Sequence, residues 1–545
     1  MTIKSYSLPL IVILCGVLFS LYLQGQIPDG VFFSGDAGLK ALLAQQLSSG
    51  QFRVDLVPPP QSWVRSLWEN GLYPFEEPFV YHLENRHYIT FPYTFPLITA
   101  PFHALFGYRG LYIIPLVSTW AIWLNFFFAC RRLKFSPIST SLALFILIFA
   151  SPLSMYSAMY WEHTLAVALS FYGLSLLLIP KQSEGLSKRE AVFSGVSIGL
   201  SVWLRPEFLC LSAIVFVIVA GIALANTPQF NWADKPLHLN QLTFLANHKF
   251  IFLASLIVTV VLFFVSNQVI YSHPLGIHAI QIVEDLSLID KLKDAWENFK
   301  GLGYAFFEYF QVAFFPVLYL GLALVMRTVK LTPRLILIYL ICLVFVVGVS
   351  VIVPVGTAGL IAGGKQWGAR FLLILIPIVV LMSVNELQLI WQTQRSSLKY
   401  GTLGVLSMLL ILVTYKNTYA GTVYLQQNHQ GILPAIQFLQ KQPVNTIAMS
   451  HQFVAQALEP GLSQNKVFFL AENSQDLVKL GTALIEQGQP KFIYVCYPYR
   501  KCQPPEEGVE TRKFNRGNQQ FQIELLKLGE YGKYPIYEAS INKGA

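Results

Sequence analysis

Apolar positions along this chain fall in long, nearly unbroken runs rather than in the short periods of soluble helices and strands. A helix crossing a bilayer needs roughly 20 apolar residues. Runs near that length lie at about 7–24, 109–130, 138–156, 163–180, 191–205, 207–225, 250–271, 303–326, 334–354, 371–390 and 401–417, which predicts about eleven spans. Two places strain this pattern. FPLITAPFHALFG (95–107) is short and holds Pro96 and Pro101, so it reads as a partly inserted or interfacial helix. The run 191–225 has room only for two short spans, with Arg205-Pro206 between them.

The pattern changes twice. After the first run, residues 25–94 are rich in Trp, Tyr, Pro and acids, with helix-like pieces at 37–49 and 61–70. A connection this long is usually functional or a small fold of its own. Trp63 and Trp68 of SWVRSLWEN suit a membrane interface. From about 418, short apolar strands alternate with amphipathic pieces. GILPAIQFLQKQ, FVAQALEPG and SQDLVKLGTALIEQG read as helices, and NTIAMS, KVFFLAE and KFIYVCYP as strands. That alternation predicts a small α/β unit with a parallel sheet. No glycine-rich phosphate fingerprint follows these strands, which argues against a dinucleotide site. No internal repeat or low-complexity tract stands out. The expected organisation is a transmembrane module over 1–417, including the outer loop 25–94, followed by a soluble α/β domain over 418–545.

Composition strengthens the membrane reading. The chain is 54% hydrophobic and 12% charged, where a soluble domain carries about 25% charged residues. The net charge of +9 does not point to nucleic acid, because the basic residues sit in short loops between apolar runs. Placing the N-terminus in the cytoplasm puts Arg131, Arg132, Lys134, Lys181, Lys188, Arg189, Arg327, Lys330, Arg395 and Lys399 inside. Most acids of 25–94 and 272–302, and the whole tail, then lie outside. The first run follows Lys4 and lacks a small-residue cleavage site, so it reads as an uncleaved span. The expected setting is a multi-pass membrane protein with its N-terminus in the cytoplasm and its C-terminal domain on the outer side. Cys15, Cys130, Cys210 and Cys342 lie in apolar runs as small core hydrophobes. Cys496 and Cys502 of CYPYRKC either pair, as an oxidising compartment allows, or remain two thiols.

Ionisable residues in or beside spans are costly and therefore candidates for function. Asp36 opens the first loop helix in SGDAGLKALLAQQL. Glu162-His163 precedes the fourth span in SPLSMYSAMYWEHTLAV. Arg205 and Glu207 mark the turn in WLRPEF, and His273 follows the seventh span in NQVIYSHPLG. Lys365 and Arg370 lead into the tenth span in GGKQWGARFLLILIP. The predicted threading sends all of these to one face. Each also has a structural reading. Asp36 suits an N-cap, with Lys40 one turn on. Glu162 complements a helix N-terminal dipole, and His163 suits a packed core histidine. Arg205, Lys365 and Arg370 suit interfacial anchors. Taken together, a carboxylate can serve as general base on an acceptor hydroxyl, and cations can hold a departing phosphate. A Glu-His pair can orient the acceptor or help bind a divalent metal. A phosphate at this depth is most simply that of a lipid.

These segments resemble, in order, those of the GT-C membrane glycosyltransferases, which include the protein O-mannosyltransferases and the aminoarabinose transferases of lipid A. The similar features are the acid after the first span, the stretch YTFPLITAPFHALFGYRGLYI, the Tyr-Ser then His pattern of SPLSMYSAMYWEHTLAVAL, the Arg-Pro turn of GVSIGLSVWLRPEFLCL, and GGKQWGARFLLILIP. The resemblance implies sugar transfer from a polyprenyl-phosphate donor to a lipid, glycan or protein acceptor. It makes Asp36, Glu162 and His163 the catalytic candidates. Glu84, Arg205, His273, Lys365 and Arg370 become the substrate-binding candidates. The chain departs from the family where Ala37 follows Asp36 in place of a second acid, so Glu84 or Glu162 would supply it and a divalent metal stays open. Other readings are a lipid-linked glycan ligase or polymerase, a membrane transporter or flippase, and a non-enzymatic scaffold. Transporters often show internal repeats and midplane charges, and a ligase does not require the acid after the first span.

Overall fold

The computed structural model describes residues 7–179, 186–225, 248–277, 287–326, 332–353, 366–393, 396–462, 465–499, 502, 510–516 and 519–543. By contact the chain divides into two compact units, each built from two stretches of sequence. One joins Met1–Gln24 with Tyr112–Val423, and the other joins Gly25–Leu111 with Tyr424–Ala545.

The first unit is helical. Among the described residues, five helices of the chain are long and apolar enough to cross a membrane, rising to seven if each of two bent pairs counts as one span. Shorter apolar helices include His163–Leu178, Phe208–Leu224 and Leu375–Trp391. The protein is thus a membrane protein, and the described residues do not confirm the full count of about eleven spans. Two expected spans are broken. Pro137–Phe149 and Pro152–Ala158 meet at 54°, and Leu288–Tyr309 and Gln311–Gly321 meet at 109°. At the first break Pro152 cannot continue the helical ladder. The run 191–225 splits as expected into Lys188–Leu204 and Phe208–Ala225. Arg205 is extended (φ −143°) because the residue before a proline is pushed out of the helical region.

Close helix approach in this unit depends on small residues. In SGVSIG, a Cβ on Gly195 would lie 2.6 Å from the Phe252 carbonyl oxygen, and one on Gly199 would lie 2.6 Å from Thr259. The pair lets Lys188–Leu204 lie against Lys249–Tyr271, as small residues four apart do in membranes. The Trp203 indole N–H then donates to the Thr259 carbonyl at 3.1 Å.

The second unit is built on a sheet. Strands β1 (Val80–Leu83) and β2 (Arg86–Ile89) form a hairpin. Strands β3 (Thr446–Met449), β4 (Val467–Leu470), β5 (Lys491–Val495), β6 (Glu510–Arg516), β7 (Gln519–Tyr531) and β8 (Tyr534–Lys543) form one sheet in the order β4-β3-β5-β8-β7-β6. Strand β3 runs parallel to β4 and β5, and the other neighbours are antiparallel. Apolar layers cover both faces, which is why TIAM and VFFL are continuously apolar. Ile447, Met449, Phe468 and Ile493 face Leu433–Lys441, Gln452–Leu458 and Gly35–Ser48. Ala448, Phe469, Phe492 and Tyr494 face Ser474–Glu486 and the segment carrying Val64, Leu67 and Leu72.

Residues 25–94 are therefore structural partners of the tail's sheet. Trp63 stacks on Phe469 at 5.7 Å and the Trp68 indole N–H donates to the Phe468 carbonyl at 3.1 Å. The two indoles expected at a membrane interface instead cover the sheet. The stretch 95–107 forms a helix, Thr94–Phe106, that belongs to this same unit. Cys496 and Cys502 form a disulfide at the end of β5.

Candidate functional site

Four of the expected site residues meet within the helical unit. Glu162 ends the segment that follows the bent span and immediately precedes the helix His163–Leu178. Its side chain does not cap that helix. Instead Glu162 Oε1 accepts a hydrogen bond from Arg205 Nη1 at 3.0 Å. Arg205 Nε donates to Glu207 Oε1 at 2.6 Å. All three side chains are buried. A buried guanidinium needs such compensation, since an unpaired charge away from water is strongly unfavourable. The Arg-Pro turn forms this centre because it ends the helix at Arg205 and keeps Glu207 two residues away.

Arg370 approaches the same centre from the turn Arg370–Leu372, ahead of the helix Leu375–Thr393. Its guanidinium lies 5.0 Å from the Phe371 ring and 5.5 Å from the Trp161 ring. Arg205 lies 5.0 Å from the same Phe371 ring. His163 is buried with its ring 5.0 Å from Trp161 and 5.6 Å from Tyr156, and its Nδ1 is 4.0 Å from Glu162 Oε1. Glu162, His163, Arg205 and Arg370 thus form one cluster of charge and aromatic faces. Two guanidiniums and two carboxylates balance there, so an added anion would meet cations already held in place at small reorganisation cost.

A supporting shell was not read from the sequence. The Tyr156 hydroxyl donates to the Trp367 carbonyl at 3.0 Å, and the Trp367 indole N–H donates to Asn417 Oδ1 at 3.0 Å. Asn417 Nδ2 donates to the Tyr309 carbonyl at 2.8 Å. Lys416 pairs with Glu308 at 2.7 Å. These bonds tie the Arg370 turn to two further helices. Asn417, a lone amide at the end of an apolar run, was the available signal.

The other expected residues are placed as follows. Asp36 is in the second unit, in the first turn of Gly35–Ser48. It is not the N-cap. Ser34 is, its hydroxyl accepting the Ala37 amide at 3.3 Å. Lys40, one turn on, is buried with its ammonium 4.4 Å from the Phe91 ring. A Cβ on Gly38 would fall 1.9 Å from the Gln456 carbonyl oxygen, so this helix is pressed against Gln452–Leu458. Glu84 is exposed at the tip of the β1–β2 hairpin with φ of 48°. His273 is exposed, and its Nδ1 accepts the Leu275 amide at 3.2 Å, a local turn outside the cluster. Lys365 lies outside the described residues. Among the described residues, no group of three or more His, Cys, Asp or Glu is gathered to hold a metal ion.

The chain matches no protein-family model and no curated protein. Solved structures do match it. ArnT from Cupriavidus metallidurans in the apo state is 10% identical, with 97% of each chain covered and a TM-score of 0.50. The chain shares the ArnT fold. The same ArnT bound to undecaprenyl phosphate aligns at 12% identity, 97% of each chain and a TM-score of 0.49. The archaeal oligosaccharyltransferase AglB from Archaeoglobus fulgidus, in complex with an inhibitory peptide and a dolichol-phosphate, aligns at 11% identity. There 90% of this chain and 70% of that chain are covered, with a TM-score of 0.46. The likeness to ArnT, an aminoarabinose-transferase fold of the kind expected from the order of the segments, is one of fold, at an identity too low to carry residue roles.

Proposed function

We propose that this protein is a membrane glycosyltransferase that moves a sugar from a polyprenyl-phosphate donor to a lipid, glycan or protein acceptor. The reaction would take place on the outer face of a bacterial inner membrane. The observation that carries the reading is the gathering of Arg205 and Arg370 with Glu162 and His163 at the ends of apolar helices. Such a cluster suits the phosphate of a lipid whose tail stays in the bilayer. The GT-C fold supports the same class, and the neighbour that defines it, ArnT, binds undecaprenyl phosphate. The Cys496–Cys502 disulfide supports an oxidising compartment for the tail.

In this reading Arg370 binds the donor phosphate and Arg205, fixed by Glu162 and Glu207, supplies a second positive charge. His163 and Glu162 hold the cluster's shape. Asp36 is the proposed general base. The acceptor oxygen forms a bond to the anomeric carbon as the bond from that carbon to the phosphate oxygen breaks. The bonding pair leaves on the lipid phosphate, and the acceptor proton passes to Asp36.

Arg370→Ala tests the phosphate assignment. Loss of a charge-assisted contact worth about 1.5–3 kcal/mol should weaken undecaprenyl phosphate binding to the full-length protein in nanodiscs roughly 10- to 100-fold. Arg370→Lys, a point charge without the fork, should retain part of it. Equal binding by wild type and Arg370→Ala would remove Arg370 from the donor site.

A further inference from the structure

The helix Leu288–Tyr309 has three different faces. One is buried and carries Asn298, Leu302, Ala305 and Phe306. Asn298 Nδ2 donates to the carbonyls of Ser350 at 3.1 Å and Val353 at 2.7 Å. The second is charged, with Lys293 3.6 Å from Asp290 and Lys300 2.7 Å from Glu297. The third is apolar and open. Leu288, Ile289, Leu292 and Trp296 are 75, 67, 62 and 59% exposed. Their spacing puts all four on one stripe of a 3.6-residue helix. Trp296 stacks on Phe299 with ring centres 5.7 Å apart.

Direction and charge identify what covers this stripe. The helix meets the apolar segment Gln311–Gly321 at 109°. If that segment runs along the bilayer normal, Leu288–Tyr309 lies close to the membrane plane. Asp290, Asp294 and Glu297 balance Lys291, Lys293 and Lys300 on the stretch that carries the stripe. A charged macromolecule finds no net attraction there, whereas the boundary between lipid headgroups and acyl chains accepts such a helix by its apolar face. The far end of the helix reaches the cluster: the Tyr309 ring packs edge-on to Trp367 at 4.9 Å, three residues before Arg370.

We propose that Leu288–Tyr309 is an interfacial helix whose open stripe sinks into the bilayer surface, and that its C-terminal end thereby holds the Trp367–Arg370 turn at headgroup depth. This rests on the protein being a membrane protein and not on sugar transfer. The experiment uses the full-length protein in phosphatidylcholine vesicles containing lipids brominated either near the headgroup or near the tail end. Subtracting the emission of Trp296→Phe isolates the Trp296 signal, and a conservative aromatic change leaves the fold in place. Shallow bromines should quench that signal about twofold or more beyond deep ones. Adding phosphatidylglycerol should leave the ratio unchanged. Quenching by aqueous iodide with none from bromine would place the helix in water. Protection from both would mean that protein covers the stripe. Stronger quenching by deep bromines would make the helix a span. Dependence on anionic lipid would replace the apolar basis with a charged one. Each of these four results overturns the proposal, and none depends on finding a donor sugar.

Discussion

At the scale of single residues, Arg205 shows how a backbone constraint creates a charge centre. The following proline ends the helix, and the freed side chain is held by Glu162 and Glu207. Removing it takes away the cation that Glu162 and Glu207 share. Arg205→Ala should therefore destabilise the protein by about 3–5 kcal/mol, read as a fall in the thermal midpoint of the purified full-length chain. Arg205→Lys should fall between the two, because one ammonium cannot match both carboxylates with the planar fork. An unchanged midpoint for Arg205→Ala would mean the triad is not the compensated centre described. The residues of this centre were legible in the sequence because charge is conspicuous in apolar runs. Their pairing was not, because Glu162 and Arg205 come from different helices. The capping role read for Asp36 went instead to Ser34, two residues earlier, since serine caps as well as aspartate does.

At the scale of elements, the parallel strands of the tail were legible because buried strands read as short apolar blocks between helices. Strands β6, β7 and β8 were not read, although Phe521, Ile523 and Leu525 alternate with polar residues as a one-sided strand should. Their many charges obscured that period of two. FVAQALEPG, read as one helix, ends as the short turn Glu459–Gly461, which carries a titratable group in this unit. Burial pushes the Glu459 carboxyl up to about 8. Burial, with His82 adding to it, lowers the His87 imidazole to about 4, against a smaller opposing pull from Asp55. The folded state therefore holds more protons at Glu459 than the unfolded chain, and fewer at His87. Stability contributed by Glu459 falls as pH rises from its usual carboxylate range to about 8, whereas that from His87 rises between about 4 and its usual value near 6.5. The two oppose one another in mild acid, and only the Glu459 decline acts from about 6.5 to 8. Glu459→Gln should flatten the fall in thermal midpoint over that upper window. A slope equal to wild type would show that Glu459 is not held protonated by burial.

At the scale of the molecule, the sequence displayed a membrane protein with an α/β tail but not how its stretches associate. Residues 25–111 join 424–545 across more than three hundred residues, and no local pattern announces a contact of that range. Nor did apolar length alone show that two runs bend, since length measures what fits a bilayer and not where the backbone breaks. The fold shared with ArnT was legible through the order of several weak motifs, each too short to be specific by itself. The central claim is sugar transfer with Asp36 as base. It is tested most directly by reconstituting the full-length protein with a panel of polyprenyl-phosphate sugars and following release of the lipid phosphate, for wild type and for Asp36→Asn. Wild type should transfer from at least one donor, and Asp36→Asn should be slower by about 10²- to 10⁴-fold with its thermal midpoint unchanged. Transfer at the wild-type rate by Asp36→Asn, or no transfer by wild type from any donor, would contradict the account.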